Sequence, residues 1–330
     1  MAVAHLGHAE IRVTDLEAAR YFYTEIVGLY ATEEDDEHVY LRAWQDWDHH
    51  TLTLTKAAEP GLDHVGWRVE RPEDMSAYEK RLSELGVDYH WLEGGREPGQ
   101  GDGLRFYTPS GMPFELYWEV EQFVPGHDGQ ASRLPSHPQR YGTRGIAPRR
   151  FDHMNFLQNS PAEDQRWLAD ELGIHHRYYV ENSEGERLGS WMSRTNIAHE
   201  IALMRNKAQN GTRLHHTAYF LDSPDQLIRA ATILADNDVK IEWGPGQHGT
   251  SGAIFLYCFD PAGNRLEIWT GGMLIFAPDW EPIRWDSSVG SLGLELWGSD
   301  VPESYFTYGT ECRFTEIRNA PSTQNASATR

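Results

Sequence analysis

The sequence predicts an α+β protein made of four βαβββ modules joined two by two into tandem domains. Three observations carry this: a histidine-bearing apolar stretch that occurs four times, a helix-start signal after each, and equal residue spacings in the two halves of the chain. In the first module, Leu6-Gly7-His8-Ala9-Glu10-Ile11 reads as a strand, and Thr14-Asp15-Leu16-Glu17 as a capping box. Leu16, Ala19, Tyr23 and Ile26 then follow helical spacing to Gly28, and Thr51-Leu52-Thr53-Leu54 alternates like a half-buried strand. The second module opens with Leu62-Asp63-His64-Val65-Gly66-Trp67. Its helix starts at Pro72-Glu73-Asp74 without a serine and ends at Gly86, and Phe114-Glu115-Leu116-Tyr117-Trp118 closes it. The third opens with Phe151-Asp152-His153-Met154-Asn155-Phe156, with a second capping box at Ser160-Pro161-Ala162-Glu163 and a helix end at Gly173. The fourth opens with Leu214-His215-His216-Thr217-Ala218-Tyr219. Ser223-Pro224-Asp225-Gln226 starts its helix, whose apolar face is Leu227, Ala231 and Leu234.

The halves match in spacing and in kind. His64 and Glu115 lie 51 residues apart, as do His216 and Glu267. Thr108-Pro109-Ser110-Gly111-Met112-Pro113-Phe114-Glu115 parallels Asp260-Pro261-Ala262-Gly263-Asn264-Arg265-Leu266-Glu267. The expected division is a two-module domain at 1–145, a second at 146–315 and a flexible tail at 316–330, with a Pro-, Gly- and Arg-rich linker near 124–148.

Composition narrows the function classes. A formal net charge of -21 argues against nucleic acid and anionic membranes as partners. No apolar run reaches the ~18 residues of a membrane span, and no secretory signal opens the chain, so a cytoplasmic location is expected. Two cysteines, Cys258 and Cys312, provide neither a disulfide framework nor a thiolate zinc site. The 16 histidines are the richer signal, because imidazole is the commonest metal-binding side chain.

The repeat converts scattered residues into a constellation. His153 and His216, from the first strands of the third and fourth modules, converge with Glu267 from the last strand of the fourth. Two imidazoles and one carboxylate on one face of a metal leave adjacent positions open, the arrangement of non-haem iron(II) oxygenases. Asn155, two residues beyond His153, faces the same side. His8, His64 and Glu115 form the same trio in the first half. Only the second half adds His199, His248 and Tyr257, able to position protons around a bound phenol. The position of Tyr257 is taken by Arg105 in the first half, and no histidine between Trp91 and Glu115 matches His248. The first trio therefore reads as a duplicate without a working metal site.

Gly246-Gln247-His248-Gly249, with Leu256-Tyr257-Cys258-Phe259-Asp260-Pro261-Ala262-Gly263-Asn264-Arg265-Leu266-Glu267, resembles the signature of type I extradiol dioxygenases. The likeness spans about residues 4–315, including Arg150-Phe151-Asp152-His153, Ala198-His199-Glu200 and Arg213-Leu214-His215-His216. Leu274-Ile275-Phe276-Ala277-Pro278-Asp279-Trp280 and Pro302-Glu303-Ser304-Tyr305-Phe306 are similar to members that cleave catechol, such as catechol 2,3-dioxygenase. The resemblance implies the vicinal oxygen chelate fold, of glyoxalase/bleomycin-resistance type. It implies one Fe(II) per chain, with Mn(II) as the lesser alternative, held by His153, His216 and Glu267. It makes His216 rather than His215 the ligand, and strict strand alternation then turns His215 to the opposite face. By the same resemblance His199 is the acid–base residue beside dioxygen, His248 and Tyr257 bind the substrate oxygens, and Trp191 is a pocket aromatic. Relatives are commonly homotetramers, which suggests a homo-oligomer.

The implied reaction is extradiol (meta) cleavage of a catechol with O2 to a 2-hydroxymuconic semialdehyde, in aromatic-compound degradation. Relatives that cleave carboxylate-bearing catechols use arginines near the site. Here Trp243 precedes Gly244-Pro245-Gly246, and no arginine lies between Arg284 and Arg313, so catechol or a methyl- or chlorocatechol is expected. A larger catechol such as 2,3-dihydroxybiphenyl is the alternative. Beyond oxygenases, the same fold supports a glyoxalase-like isomerase or an aromatic-binding protein. The latter class generally lacks the metal trio.

Overall fold

The computed structural model describes residues 1–125 and 130–315. The tail expected at 316–330 lies outside the described residues.

Each module is a strand, a helix and three further strands. The first comprises β1 (Val3–Val13), α1 (Leu16–Tyr21, running on as a π-helical turn to Val27), β2 (Tyr30–Glu34), β3 (His38–Arg42) and β4 (Leu52–Lys56). The second comprises β5 (Gly61–Val69), α2 (Pro72–Leu85), β6 (Tyr89–Leu92), β7 (Gly103–Tyr107) and β8 (Pro113–Tyr117). The third comprises β9 (Arg150–Gln158), α3 (Pro161–Leu172), β10 (His175–Glu181), β11 (Arg187–Ser193) and β12 (Ile201–Arg205). The fourth comprises β13 (Arg213–Leu221), α4 (Pro224–Asp236), β14 (Ile241–Gln247), β15 (Ile254–Phe259) and β16 (Arg265–Thr270). A C-terminal segment adds β17 (Ile283–Trp285), α5 (Ser304–Thr307) and β18 (Thr310–Cys312). None of the described helices is long and apolar enough to cross a membrane.

The helix ends follow their local chemistry. Gly28, Gly86 and Gly173 each close a helix in the left-handed region, where a side chain would be strained. The capping details are less uniform. Asp15, not Thr14, caps α1 by accepting from the Ala18 amide; Ser223 caps α4, whereas Ser160 makes no side-chain cap bond. On α4 the buried face is Leu227, Ala230 and Leu234, with Ala231 half-buried.

Strand pairing repeats in the two halves. In the first half the order is β2-β3-β4-β1-β5-β8-β7-β6, with β1 antiparallel to β5 and β5 parallel to β8. The second half runs β10-β11-β12-β9-β13-β16-β15-β14 in the same senses, with β17 added beside β10. Even the register agrees: Gly66 pairs with Glu115 as Ala218 does with Glu267, and Arg105 pairs with Glu115 as Tyr257 does with Glu267. The C-terminal β18 pairs with both β13 and β5, tying the end of the chain to the first half.

The histidine strands β1, β5, β9 and β13 are central and almost wholly buried. Ladder register slips by one residue at Gly7, Asp63, Asp152 and His215, each immediately before a repeat histidine. Such a bulge re-aims side chains beside a site. It also defeats strict alternation, with consequences for the histidines.

Candidate active site

His153 on β9, His216 on β13 and Glu267 on β16 meet in the second half, all buried. Glu267 Oε2 lies 2.9 Å from His153 Nε2 and 3.0 Å from His216 Nε2. One ligand atom from each of the three falls within 4.8 Å of the others, close enough to share one ion. Glu267 Oε1 is buried without a hydrogen-bond partner. An ionised oxygen left so is costly unless a cation completes it, so the donor set fits a divalent metal.

The bulges fix which nitrogen each histidine offers. Asp152 Oδ2 sits 3.0 Å from His153 Nδ1, so Nδ1 donates to the carboxylate and Nε2 faces Glu267. His215 does the equivalent for His216, contrary to the expectation that it points to the opposite face: as the bulged residue it lies beside its neighbour. Its Nε2 donates to the Tyr305 carbonyl at 2.8 Å. Burial, then the nearby Arg265 charge, pull His215 well below the usual histidine range, so it is neutral and its Nδ1 is an acceptor. His216 Nδ1 donates to it across 2.6 Å, leaving Nε2 with its lone pair toward Glu267.

The remaining predicted residues line the same cleft: Asn155, Trp191, His199, His248 and Tyr257, together with Thr250, Ser251, Leu294 and Tyr305. Asn155 Oδ1 is buried and unpaired. Trp191 stacks on Tyr178 with 5.1 Å between ring centroids, so it is both packed and pocket-lining. His199 packs 4.2 Å from the His153 ring, and its Nδ1 lies 2.9 Å from the Tyr178 hydroxyl. His248 Nδ1 donates to the Leu294 carbonyl at 2.5 Å, and its Nε2 is 3.1 Å from the Tyr257 hydroxyl. Burial, then the Glu267 charge, push that phenol well above its usual range, so Tyr257 keeps its proton.

Tyr178, Tyr305 and Asp152 had no role in the sequence reading. Two had a readable signal: Asp63 precedes His64 as Asp152 precedes His153, and Tyr305 lies in the segment similar to catechol-cleaving members. Tyr305 arrives on α5, which is held over the site by buried Arg265. The Arg265 guanidinium pairs both oxygens of Glu242, at 2.6 and 2.8 Å, and donates to the carbonyls of His215, Ser304 and Tyr308. Arg265→Ala leaves Glu242 buried without its partner and is expected to cost ~3–5 kcal/mol of stability. Denaturant unfolding measures this, and Arg265→Lys recovers only part of it.

Comparison with known proteins accords with this geometry. Residues 62–121 match the catechol 2,3-dioxygenase-like N-terminal domain, and 150–268 match the glyoxalase/bleomycin resistance protein/dioxygenase superfamily. A manganese-dependent 2,3-dihydroxybiphenyl 1,2-dioxygenase of Geobacillus genomosp. 3 is 42% identical over 313 residues, covering 94% of this chain and 99% of that protein. The chain belongs to the extradiol ring-cleaving dioxygenases. A second member, a metapyrocatechase of Geobacillus stearothermophilus, is 35% identical, with 96% of each chain covered. Homoprotocatechuate 2,3-dioxygenase from Arthrobacter globiformis superposes with a TM-score of 0.84 at 30% identity, covering 94% of this chain and 92% of that one. The vicinal oxygen chelate fold expected for the family is therefore present, with His153, His216 and Glu267 placed where one ion could be held.

Proposed function

We propose that this extradiol dioxygenase cleaves an uncharged catechol, either catechol or a methyl or chloro derivative, on one Fe(II) held by His153, His216 and Glu267. The observation that carries the substrate class is the lining of the cleft: four imidazoles, one carboxylate, phenol and indole rings, an amide, two hydroxyls and Leu294, with no lysine or arginine. A substrate carboxylate would be buried there beside Glu267 without a counter-charge. Leu294 lines the cleft, and Trp243 stacks parallel on Tyr257 behind it, so both add apolar surface and no charge. The cavity left between these side chains is only about 10 Å³, so even a one-ring catechol needs the lining to move apart, and a larger one more so. A two-ring catechol is the second reading, favoured by the 42% identical dihydroxybiphenyl-cleaving relative. That relative also makes Mn(II) the alternative ion.

Bound metal would supply a template on which catechol and dioxygen meet, and a charge that favours the catecholate. The protein's own groups do the rest. Tyr257 and His248 hold the substrate oxygens, and Trp191 bounds the ring. Burial, then the charge of His153, pull His199 well below the usual histidine range, so it is neutral at pH 7. With Tyr178 donating to Nδ1, the His199 proton sits on Nε2, ready to be given to reduced oxygen. Asn155 Oδ1 offers an acceptor in the same cleft.

Two measurements test these assignments. Comparing kcat/KM for catechol, 3-methylcatechol, 2,3-dihydroxybiphenyl and homoprotocatechuate should place the carboxylate substrate last. Preference for it sinks the uncharged-substrate reading, and preference for the biphenyl selects the second. Metal affinity should depend on pH in a defined sense. Burial opposes protonation of metal-free His153, but Asp152 and Glu267 outweigh it and raise the group to about 9. A protonated His153 cannot ligate, so binding releases a proton, and apparent affinity falls roughly tenfold per pH unit below that value. Mn(II) titrations from pH 6 to 9 check the slope. A flat profile removes His153 from the ligand set.

A further inference from the structure

The first half of the chain keeps the trio of the second but surrounds it differently. His8 Nε2 and His64 Nε2 are 3.0 Å apart, and the Glu115 oxygens lie 3.8 Å from each, all buried. Glu97 joins them, and one ligand atom from each of these four residues falls within 4.8 Å of the others. By composition this is as good a metal site as the other half's.

The difference lies in one cation. Arg105 occupies the ladder position of Tyr257, directly across from Glu115. Its Nε donates to Glu115 Oε2 at 2.5 Å, and its Nη2 bonds Glu97 Oε1 and lies 3.3 Å from His64 Nε2. Nη1 reaches Asp63 at 3.5 Å. The other Glu115 oxygen accepts from Gln100. Glu115 therefore has both oxygens hydrogen-bonded, whereas Glu267 Oε1 accepts no hydrogen bond and has His248 Nε2 at 3.6 Å. Glu97 Oε2 accepts none either, but sits 3.4 and 3.5 Å from His8 and His50 Nε2. Glu97 sits in the loop between β6 and β7, the counterpart of the loop that carries His248 between β14 and β15. The His248–Tyr257 pair is thus replaced by a Glu97–Arg105 ion pair that reaches into the centre of the cluster.

We infer that the Arg105 guanidinium serves as a built-in cation in place of a metal in the first half, and that removing it opens a second divalent-metal site on His8, His64 and Glu115. A guanidinium suits this role because it stays charged when buried and its fixed fork satisfies several carboxylates at once. A compact divalent ion and the fork compete for the same oxygens, so the two exclude each other. A surface cleft lined by Tyr40, Asp63, Glu97 and Arg105 gives an ion a way in.

The inference rests on the reading of the second-half trio as ligands, and the test separates the two. Metal-free protein is equilibrated with Mn(II), dialysed and its ions counted per chain. Wild type is expected to hold one ion, which Glu267→Gln releases; if Glu267→Gln leaves the count unchanged, the ligand reading fails instead. Arg105→Met should hold two, the second lost when His64→Gln is added, with ring cleavage by the second half retained. Metal-free Arg105→Met should also melt below wild type and be restored by Mn(II). Arg105→Lys keeps the charge and must stay at one. A wild-type chain that carries a second ion released by His64→Gln overturns the inference, as does a folded Arg105→Met that takes only one. Should Arg105→Met be insoluble, the wild-type count decides by itself: one ion supports the inference and two overturn it.

Discussion

Replacing Glu267 by glutamine is expected to empty the metal site and lower turnover by roughly 10³-fold or more, the scale of several kcal/mol of lost charge stabilisation. The substitution keeps the shape and removes only the charge. That charge is what holds the cluster together. Burial disfavours it, yet His216 and His153 keep the carboxyl well below the usual carboxylate range. An amide in its place cannot neutralise a divalent ion, and it presents an N–H to one of two imidazoles 2.9 and 3.0 Å from Oε2. Metal analysis of the purified variant, with oxygen uptake on catechol, checks both halves of the expectation. A variant that keeps full metal and full turnover would falsify the ligand assignment. Asp152→Asn makes a milder companion: it spares the ligands but weakens the hold on His153 Nδ1, for an expected ~10–100-fold loss of metal affinity.

The trio was legible because duplication writes the same register twice. The 51-residue interval from strand histidine to glutamate recurs, and in the folded chain both intervals end on equivalent ladder partners, Gly66 with Glu115 and Ala218 with Glu267. The aligned gap at Arg105 was equally readable, and Tyr257 does stand at the matching place. What sequence could not supply was the local geometry of the histidine strands. Strict alternation sends Asp152 and His215 away from their neighbours, and only the bulges return them to hold His153 and His216. A bulge inserts a residue without a composition signal of its own in an apolar strand. Tyr178 and Tyr305 were given no role for another reason: Tyr178 lies on β10, away from the histidine and glutamate positions of the repeat, and Tyr305 lies on α5, beyond the four modules. Glu97 is likewise on a loop, where no periodicity points it inward.

His199→Phe tests the proton chemistry separately from the metal. The phenyl ring keeps the packing against His153 and Trp269, whose rings lie 4.2 and 5.3 Å from that of His199. It removes the only group in that position able to carry a proton. A general acid is worth ~10²–10⁴-fold, so kcat should fall by that much while metal content and catechol affinity stay near wild type. His199→Asn retains a donor but cannot exchange a proton readily, and should fall between the two. Tyr178→Phe should cost less than either, because it only loosens the tautomer: Tyr178 holds its proton well outside the neutral range through burial, so it acts by orienting Nδ1. A graded series of this kind separates a positioning contact from the acid itself. Full turnover to a normal ring-opened product in His199→Phe sinks the acid–base role and leaves the ring as packing. A loss confined to KM would instead move His199 into substrate binding. A loss in kcat at unchanged metal content, larger in His199→Phe than in His199→Asn but present in both, is the outcome expected of proton transfer, since Asn keeps a donor and gives up only the exchangeable proton.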